Sequence, residues 1–396
     1  MRLGIDASNI RTGGGITHIA ELLRAAQPQE HGISRVTVWA SRQTLRQLTW
    51  QPWLELVHEP MLDQSLPVRL YWQWTKLARL ARTACDCLFV PGGSYGGSFK
   101  PFVTMSQNML PFERREWQRY GFSAMSAKMC LLRLSQSRSL RQASGVVFLT
   151  EYARSVITGA IGLTGSQPVV PHGIHPRFFL PPRQQKPISQ YSAGNPFRLL
   201  YVSKIEPYKH QWRVVKAVAR LRQQGLPISL SLVGGPECPA STQKLKETIS
   251  RVDPHGQFIF HAGDVPHADV PACYHNADAF VFASSCENLP NIMLEAMAAG
   301  LPIACSNLGP MPEVLGPAGV YFDPEHPAEI AAAIQLLVED RALRQYFAES
   351  AYAQAKNYSW ERCASETFSY LAATASLPTH SYREALEPLD SCGTRA

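Results

Sequence analysis

The sequence lacks the short motifs that identify many nucleotide-dependent proteins at once. It has no D-x-D cluster, no G-x-G-x-x-G fingerprint and no Walker phosphate loop. No uncharged apolar run approaches the roughly 18–20 residues that a membrane-spanning helix needs. Charged residues make up 17% and hydrophobic residues 45% of the chain, which is typical of a globular protein. These absences argue against a membrane-spanning protein and against a P-loop nucleotidase.

Paired cysteines are also missing. The chain has nine cysteines, an odd number, and the nearest pair, Cys85 and Cys87, has no matching C-x-x-C or histidine cluster. This pattern favours free thiols over a disulfide framework or a structural zinc site. The N-terminal run M-R-L-G-I-D-A-S-N-I is typical of a buried strand and not of a signal peptide. We therefore expect a cytoplasmic protein, with peripheral contact on the inner face of the membrane as the alternative.

The order of apolar segments predicts an α/β protein with two domains. A chain of 396 residues is too long to fold around a single hydrophobic core of ordinary size. Strand-like and helical segments alternate, which favours βαβ units and parallel sheets. In the first half the predicted strands are residues 3–6, 36–39, 87–90, 102–105 and 146–149. Amphipathic helices are expected over residues 18–26 and 124–141.

The alternation restarts after a proline-rich segment, residues 171–196, that we interpret as a linker. The predicted strands of the second half are residues 199–202, 229–233, 257–261, 279–283, 302–306 and 320–322. The expected domains are residues 1–183 and 184–359. A last helix over residues 360–373 is expected to pack back on the first domain, and residues 376–396 form a polar tail predicted to be disordered.

Two glutamates mark the junction between a predicted strand and the next helix. Glu287 follows the apolar run A-F-V-F, and Glu295 lies further along the helix that we expect to begin here. Asn288 suits the helix N-cap, Pro290 suits its first turn, and Gly300 suits its end. In open α/β folds the carboxyl ends of the strands are where ligands bind. Two acidic acceptors there suit a hydroxyl-rich ligand, such as a ribose or a hexose.

The segment S-S-C-E-N-L-P-N-I-M-L-E-A-M-A-A-G-L-P-I resembles the signature of family 4 retaining glycosyltransferases of the group 1 type. The resemblance implies a GT-B fold, with two doubly wound Rossmann-like domains facing across a cleft. It assigns Glu287 to the hydroxyls of the donor sugar and Glu295 to the ribose. It also implies that the backbone at Asn288, Leu289 and Pro290 contacts the sugar and phosphate.

Two further segments fit the donor diphosphate of such enzymes. In L-L-Y-V-S-K-I-E-P-Y-K-H the family commonly has an arginine and a lysine five residues apart, and this chain has Lys204 and Lys209. A lysine neutralises phosphate as a point charge, although surface charges are the alternative interpretation. The loop R-T-G-G-G-I precedes a helix, and the resemblance implies phosphate contact at Gly14 and Gly15. An ordinary flexible loop is the alternative there.

The remaining candidates are less specific. Gly234 and Val265 resemble positions that line the nucleotide base, although both also suit simple turns. Where many family members have a His-Asp or similar pair, this chain has Gln107 and Asn108, which cannot act as a general base because amides do not titrate. Asn108 remains a candidate for hydrogen bonding to the reacting sugar. His18 and His172 lie in family motifs, but they are equally well interpreted as structural histidines whose hydrogen bonds are satisfied within the fold.

The resemblance predicts a retaining, hexosyltransferase-type enzyme. It would move a sugar from a UDP- or GDP-sugar donor to a hydroxyl of a glycan or lipid-linked acceptor in envelope polysaccharide or lipopolysaccharide synthesis. Because a D-x-D cluster is missing, we expect neither a metal nor another cofactor. A GT-B nucleotide-sugar-binding protein without turnover, and an epimerase or phosphorylase of the same fold, are the alternatives.

The net charge of +7 favours anionic partners. The basic residues are scattered and no recognised motif accompanies them, so we expect no nucleic acid partner. Two basic and aromatic stretches, residues 68–82 and 113–125, are typical of helices that lie on anionic membranes. Ordinary helices that bury their aromatic side chains are the alternative, so membrane contact stays open at this stage.

Overall fold

A computed structural model describes residues 1–11, 13–165 and 167–376. Apart from Ser376, the tail predicted to be disordered lies outside the described residues. The chain divides into two compact units. Unit 1 comprises Met1–Asn108, Cys130–Pro171 and the C-terminal part from Trp360, and unit 2 comprises Met109–Met129 and His172–Ser359. Residues 109–129 and the proline-rich segment after residue 171, which sequence patterns place in the first domain and the linker, thus group with unit 2.

Unit 1 is built on a six-stranded parallel sheet. Its strands are β1 Arg2–Asp6, β2 Arg35–Ala40, β3 Leu54–His58, β4 Cys87–Val90, β5 Phe102–Met105 and β6 Gly145–Val147. They lie in the order β3-β2-β1-β4-β5-β6. This is the doubly wound order of dinucleotide-binding folds, in which the chain changes direction between β1 and β4.

Helices connect these strands and cover both faces of the sheet. They are α1 Gly14–Ala25, α2 Arg42–Leu45, α3 Leu66–Trp72 and α4 Ala78–Ala84, followed by α5 Arg114–Trp117 of unit 2, α6 Ala124–Gln142 and α7 Glu151–Ile161. Residues Gln73–Leu77 continue α3 into α4 as one turn of π-helix. Helix α6 begins in unit 2 and continues into unit 1.

Unit 2 repeats the same topology. Its strands are β7 Phe197–Val202, β8 Ile228–Val233, β9 Ile259–Gly263, β10 Ala279–Phe282, β11 Ile303–Ser306 and β12 Gly319–Phe322, in the parallel order β12-β11-β10-β7-β8-β9. Its helices are α8 Gln211–Gln223, α9 Pro239–Val252, α10 Val270–His275, α11 Asn291–Ala298, α12 Met311–Leu315, α13 Pro327–Glu339 and α14 Arg341–Ala355. The central strands are buried on both faces, as the apolar runs predict.

The last helix, α15 Trp360–Ala375, belongs to unit 1, where it packs on α1 and β4. The Trp360 and His18 rings are 6.1 Å apart. Gly145 at the start of β6 lies so close to Tyr370 that a Cβ there would be 2.6 Å from the Tyr370 hydroxyl. Unit 1 is therefore assembled from the beginning and the end of the described chain.

The predicted α/β fold with two doubly wound parallel sheets is confirmed. Each predicted strand is found, within one or two residues at its ends. Strand β3 was not predicted. The eight cysteines of the described ranges are free thiols, and five of them are buried. Within residues 1–376, excluding the masked positions 12 and 166, no helix is long and apolar enough to cross a membrane.

Candidate donor site

The candidate site lies where the sheet of unit 2 changes direction. Strands β7 and β10 are parallel neighbours, with Leu199 paired to Ala279 and Leu200 to Phe280. The chain leaves β7 towards β8 on one side, and leaves β10 towards β11 on the other. The two loops therefore separate at the carboxyl edge and leave a crevice, which is where doubly wound sheets bind ligands. The β7 loop contains Lys204 and Lys209, and the β10 loop contains Glu287.

The structure brings Lys209 and Glu287 into direct contact. The Lys209 ammonium forms an ion pair with Oε1 of Glu287, and only 9% and 16% of these side chains are exposed. The ammonium also lies 5.2 Å from the centre of the Tyr208 ring and 5.3 Å from that of Phe282, distances at which cation–π attraction holds it. The hydroxyl of Tyr201 donates a hydrogen bond to the Lys209 carbonyl. A positive and a negative group are thus fixed side by side at the crevice.

Ser285, which the sequence patterns did not indicate, links the two loops by hydrogen bonds. Ser285 donates a hydrogen bond of 2.6 Å to Oε2 of Glu116, whose carboxylate also binds the Arg119 guanidinium at 2.7 Å. Nε2 of His210 lies 3.0 Å from the Ser285 hydroxyl. Burial lowers the His210 pKa to about 3, so its ring is neutral. Because the Ser285 proton goes to Glu116, the His210 Nε2–H donates to Ser285.

This buried chain of hydrogen bonds joins three segments. His210 directly follows Lys209, and Ser285 lies two residues before Glu287. Glu116 comes from α5, in the stretch 113–125 that sequence composition offered as a membrane helix. In the structure this stretch packs within unit 2, and Arg119 pairs there with Glu325 as well as with Glu116. The sequence signal was weak, because an acidic residue three positions before an arginine is common on helices.

Glu295 occupies α11, one turn after the helix begins. The Tyr274 hydroxyl lies 2.9 Å from Oε2 of this glutamate and 3.1 Å from the carbonyl of Ile292. Burial raises the Glu295 pKa to about 7, and the Tyr274 hydrogen bond opposes this shift. The carboxyl group is therefore able to change its ionisation close to neutral pH.

The loop before α11 differs from the predicted cap. Asn288 was predicted to be the N-cap residue, but the residue that precedes the helix is Pro290, which has no side-chain capping hydrogen bond. Asn288 and Leu289 are buried in the loop. His172 is buried beside Asn291 at the start of α11, and burial lowers its pKa to about 4. This environment favours the structural interpretation of His172.

The other candidates of unit 2 surround the same sheet edge. Lys204 is exposed and pairs with Glu237 at 2.6 Å, so it is held much less firmly than Lys209. At Gly234 the backbone has φ 132°, and a Cβ would lie 2.1 Å from the Ser203 carbonyl oxygen. Glycine is thus required there by close approach of two backbones. Val265 is half-buried in the loop after β9.

Gly14, Gly15 and Asn108 belong to unit 1. Gly14 is the first residue of α1, and Gly13 before it has φ 68°, a conformation that favours glycine. Gln107 lies next to this helix, with its Nε2 3.0 Å from Nδ1 of the buried His18. Asn108, the following residue, is exposed. The structure thus places the glycine loop and the Gln107–Asn108 segment in one neighbourhood of unit 1.

Unit 2 also contains a cavity that sequence analysis did not predict. Its volume is about 590 Å³, and it lies between residues 119–125 and the first turns of α8 and α9. Both charge signs and two aromatic rings line it, mainly from Arg119, Tyr120, Glu206, Trp212, Arg213 and Lys244. Glu206 at its wall accepts a hydrogen bond of 2.7 Å from the Tyr120 hydroxyl. Two of the cations at this wall, Arg119 and Arg213, pair with Glu325 behind it.

A solved structure defines the class of the fold. HepE of Anabaena in complex with UDP superposes with a TM-score of 0.66 at 18% identity, over 93% of this chain and 100% of HepE. With its two six-stranded parallel sheets, the protein has the GT-B fold that the motifs predicted.

Sequence similarity relates residues 183–354 to a known family. Residues 183–354 match the family described as Glycosyl transferases group 1. The O-antigen chain mannosyltransferase B of Escherichia coli is 30% identical over 239 residues, 59% of this chain and 61% of that protein. The D-inositol 3-phosphate glycosyltransferase of Paenarthrobacter aurescens is 26% identical over 225 residues, 56% of this chain and 52% of the relative. Residues 183–354 therefore belong to the group 1 glycosyl transferases, and the chain spans about half to three fifths of the length of these curated relatives.

Proposed function

We propose that this protein is a retaining glycosyltransferase that uses a UDP- or GDP-sugar and acts in envelope polysaccharide or lipopolysaccharide synthesis. The observation that supports this most directly is the contact between Lys209 and Glu287 at the point where the sheet of unit 2 changes direction. The match of residues 183–354 to the group 1 glycosyl transferases supports it independently. The acceptor in this proposal is a hydroxyl group of a glycan or of a lipid-linked sugar.

The chemistry follows from the charges at this edge. When a donor binds, its diphosphate is expected to approach the Lys209 ammonium, which stabilises the negative charge that develops on the departing nucleotide. Glu287 then accepts hydrogen bonds from the donor sugar. A bond forms between the acceptor oxygen and C1 of the sugar, the bond from C1 to the phosphate oxygen breaks, and the phosphate takes the acceptor proton.

In this proposal the reaction proceeds without a metal ion. Lysine side chains and backbone N–H groups at the start of α11 would neutralise the diphosphate where other transferases use a cation. Among the described residues, no three His, Cys, Asp or Glu side chains are grouped as metal ligands. The proposal depends on the lysines that are present, and a chelator tests it directly.

The first experiment measures release of UDP or GDP from a panel of nucleotide sugars, with EDTA present and with candidate acceptors. We expect Lys209→Ala to reduce turnover about 10²–10³-fold, as loss of a group that stabilises developing charge does. Lys204→Ala should reduce turnover about tenfold or less, because this side chain is exposed and already paired. Lys216→Ala, at an exposed position on α8, is the matched control and should leave turnover unchanged.

Turnover that disappears with EDTA and returns with Mg²⁺ would contradict the metal-independent mechanism. Nucleotide binding without release from any donor would favour the binding-protein alternative. An altered free nucleotide sugar instead of a glycosidic product would favour the epimerase alternative. NMR of the product gives the configuration at C1, and inversion would contradict the retaining mechanism.

A further inference from the structure

One face of unit 1 combines exposed apolar residues with basic residues and has no acidic residue in its helices. The face is formed by residues 66–84, which contain α3 and α4, and by residues 130–142 of α6. These segments contain seven Lys or Arg residues, at 69, 76, 79, 82, 133, 138 and 141, and no Asp or Glu. A solvated helix normally mixes both signs of charge, so this composition is unusual.

The topology puts both segments on the same side of the sheet. The connection from β3 to β4 and the connection from β5 to β6 both move towards the β6 edge of the sheet. Since parallel crossovers are right-handed, their helices cover the same face. Contacts agree with this placement: Tyr95, packed in the core with Trp72 and Ala81, donates its backbone N–H to the Ser139 hydroxyl of α6 at 3.0 Å.

Large apolar side chains point outwards from this face. Between 50% and 69% of the surface of each of five residues is exposed: Leu66, Tyr71, Trp74, Leu131 and Leu134. Tyr71 and Trp74 are three residues apart, as are Leu131 and Leu134, so each pair lies on one helical side. Exposed basic residues lie among them, namely Lys76, Arg79, Arg82 and Arg138. We call these nine residues the basic apolar face.

We propose that the basic apolar face binds the surface of a bilayer rich in anionic phospholipid. Aromatic and leucine side chains enter the boundary between headgroups and acyl chains, while lysine and arginine side chains reach the phosphates. Charge complementarity selects this partner: the helices have no carboxylate to repel an anionic surface. The exposed Trp74 and Leu131 favour a membrane over nucleic acid, whose phosphate backbone offers no apolar layer.

The proposal also fits the function proposed above, because a lipid-linked acceptor is confined to a membrane surface. It does not depend on that function, since binding to lipid requires no donor. Unlike residues 113–125, whose Glu116 and Arg119 are engaged within unit 2, the outward side chains of this face contact solvent.

The test is sedimentation of the full chain with vesicles of phosphatidylcholine alone or with about one third phosphatidylglycerol. We expect binding to the anionic vesicles that weakens with added salt. The double variant Lys76→Glu/Arg79→Glu should reduce the partition coefficient about tenfold or more. Leu131→Ser/Leu134→Ser, which keeps the net charge, should also reduce it. Lys246→Glu/Arg251→Glu on α9 changes the net charge equally and should bind as the wild type does.

Equal binding to neutral and anionic vesicles, or no binding to either, would overturn the proposal. So would an equal loss of binding in the α9 control, since only net charge would then matter. Binding to single-stranded RNA but not to vesicles would assign the face to nucleic acid instead. Donor turnover is measured in parallel with a soluble acceptor: it should stay unchanged in the charge-reversal variant, which separates failure of membrane binding from failure of the proposed enzyme.

Discussion

At the scale of single residues, Glu295 makes the candidate site sensitive to pH. Its carboxyl group has a reference pKa of 4.5, and burial raises that pKa to about 7 in the folded protein. The folded state therefore binds this proton more tightly than the unfolded chain does. It follows that the stability contributed by protonated Glu295 is complete below about pH 4.5 and is lost as the pH rises through about 7.

The same ionisation should control donor binding. If the ionised carboxylate accepts hydrogen bonds from the ribose, affinity for a nucleotide sugar should rise up to about tenfold between pH 6 and pH 8, as the ionised fraction rises. Glu295→Gln should bind about 1–3 kcal/mol more weakly at pH 8 and show no such rise. Calorimetric titration with a nucleotide sugar, whose own charge is constant over this range, measures both effects.

Wild-type affinity that does not change with pH would remove Glu295 from the site. An equal slope in Glu295→Gln would assign the pH dependence to another group. Intact folding of the variant is checked by its far-UV spectrum and its thermal midpoint.

Residue patterns predicted some contacts of the site and not others. Glu287 and Lys209 each follow a recognisable apolar strand, and neighbouring parallel strands present their carboxyl ends at one edge, so their proximity was predictable. The contact between Glu116 and Ser285 was not predictable, because 169 residues separate them and nothing near Glu116 in the sequence indicates a partner. A single sequence does not encode such a pairing in any local pattern.

At the scale of elements, three segments share one hydrogen-bonded chain through Glu116, Ser285 and His210. We expect Glu116→Ala to remove the buried carboxylate that accepts from the Ser285 hydroxyl and from the Arg119 guanidinium, which then retains its pair with Glu325. Such a loss costs about 1–3 kcal/mol, and donor affinity should fall about tenfold because the Glu287 loop loses its support. Glu247→Ala, on the exposed side of α9, is the control.

A double-mutant cycle with Ser285→Ala separates positioning from general damage. If the two side chains act together, the double variant should bind donor about as weakly as Glu116→Ala alone. Strictly additive losses would show that Glu116 acts independently of Ser285. The pH profile of turnover should keep its shape in both variants, since neither residue is proposed to exchange a proton with substrate.

Elements with a clear period were predictable, and elements without one were not. Strands β7 and β10 are almost wholly apolar and buried, so the short apolar runs in their sequences predict them. Strand β3 lies at the edge of its sheet, is mostly half-exposed and mixes Glu55 and His58 with apolar residues, so no alternation marks it. Helices α10 and α12 have five or six residues each, which is too short for a helical period to show.

At the scale of the whole molecule, unit 1 depends on a helix from beyond unit 2. Helix α15 buries Trp360, Phe368 and Leu371 among other residues within unit 1. Burial of each such side chain contributes about 1.5–3 kcal/mol, and a domain has only about 5–15 kcal/mol in total. Loss of α15 should therefore unfold unit 1.

Truncation tests this dependence. A chain ending at residue 359 should lose one of two thermal transitions, while a chain ending at residue 376 should keep both. Calorimetry measures the transitions, and nucleotide affinity reports on unit 2 separately. Two unchanged transitions in the shorter chain would show that α15 is dispensable for unit 1.

The placement of α15 also sets an order of events during synthesis. The first six strands leave the ribosome early, yet the helix that covers α1 and β4 is made only after every strand of unit 2. Unit 2 has all of its residues once Ser359 has been made, so it is able to finish folding while unit 1 still exposes an apolar surface. Unit 1, whose strands are translated before those of unit 2, is therefore completed after unit 2, and a nascent chain that stalls before α15 leaves this apolar surface exposed to aggregation.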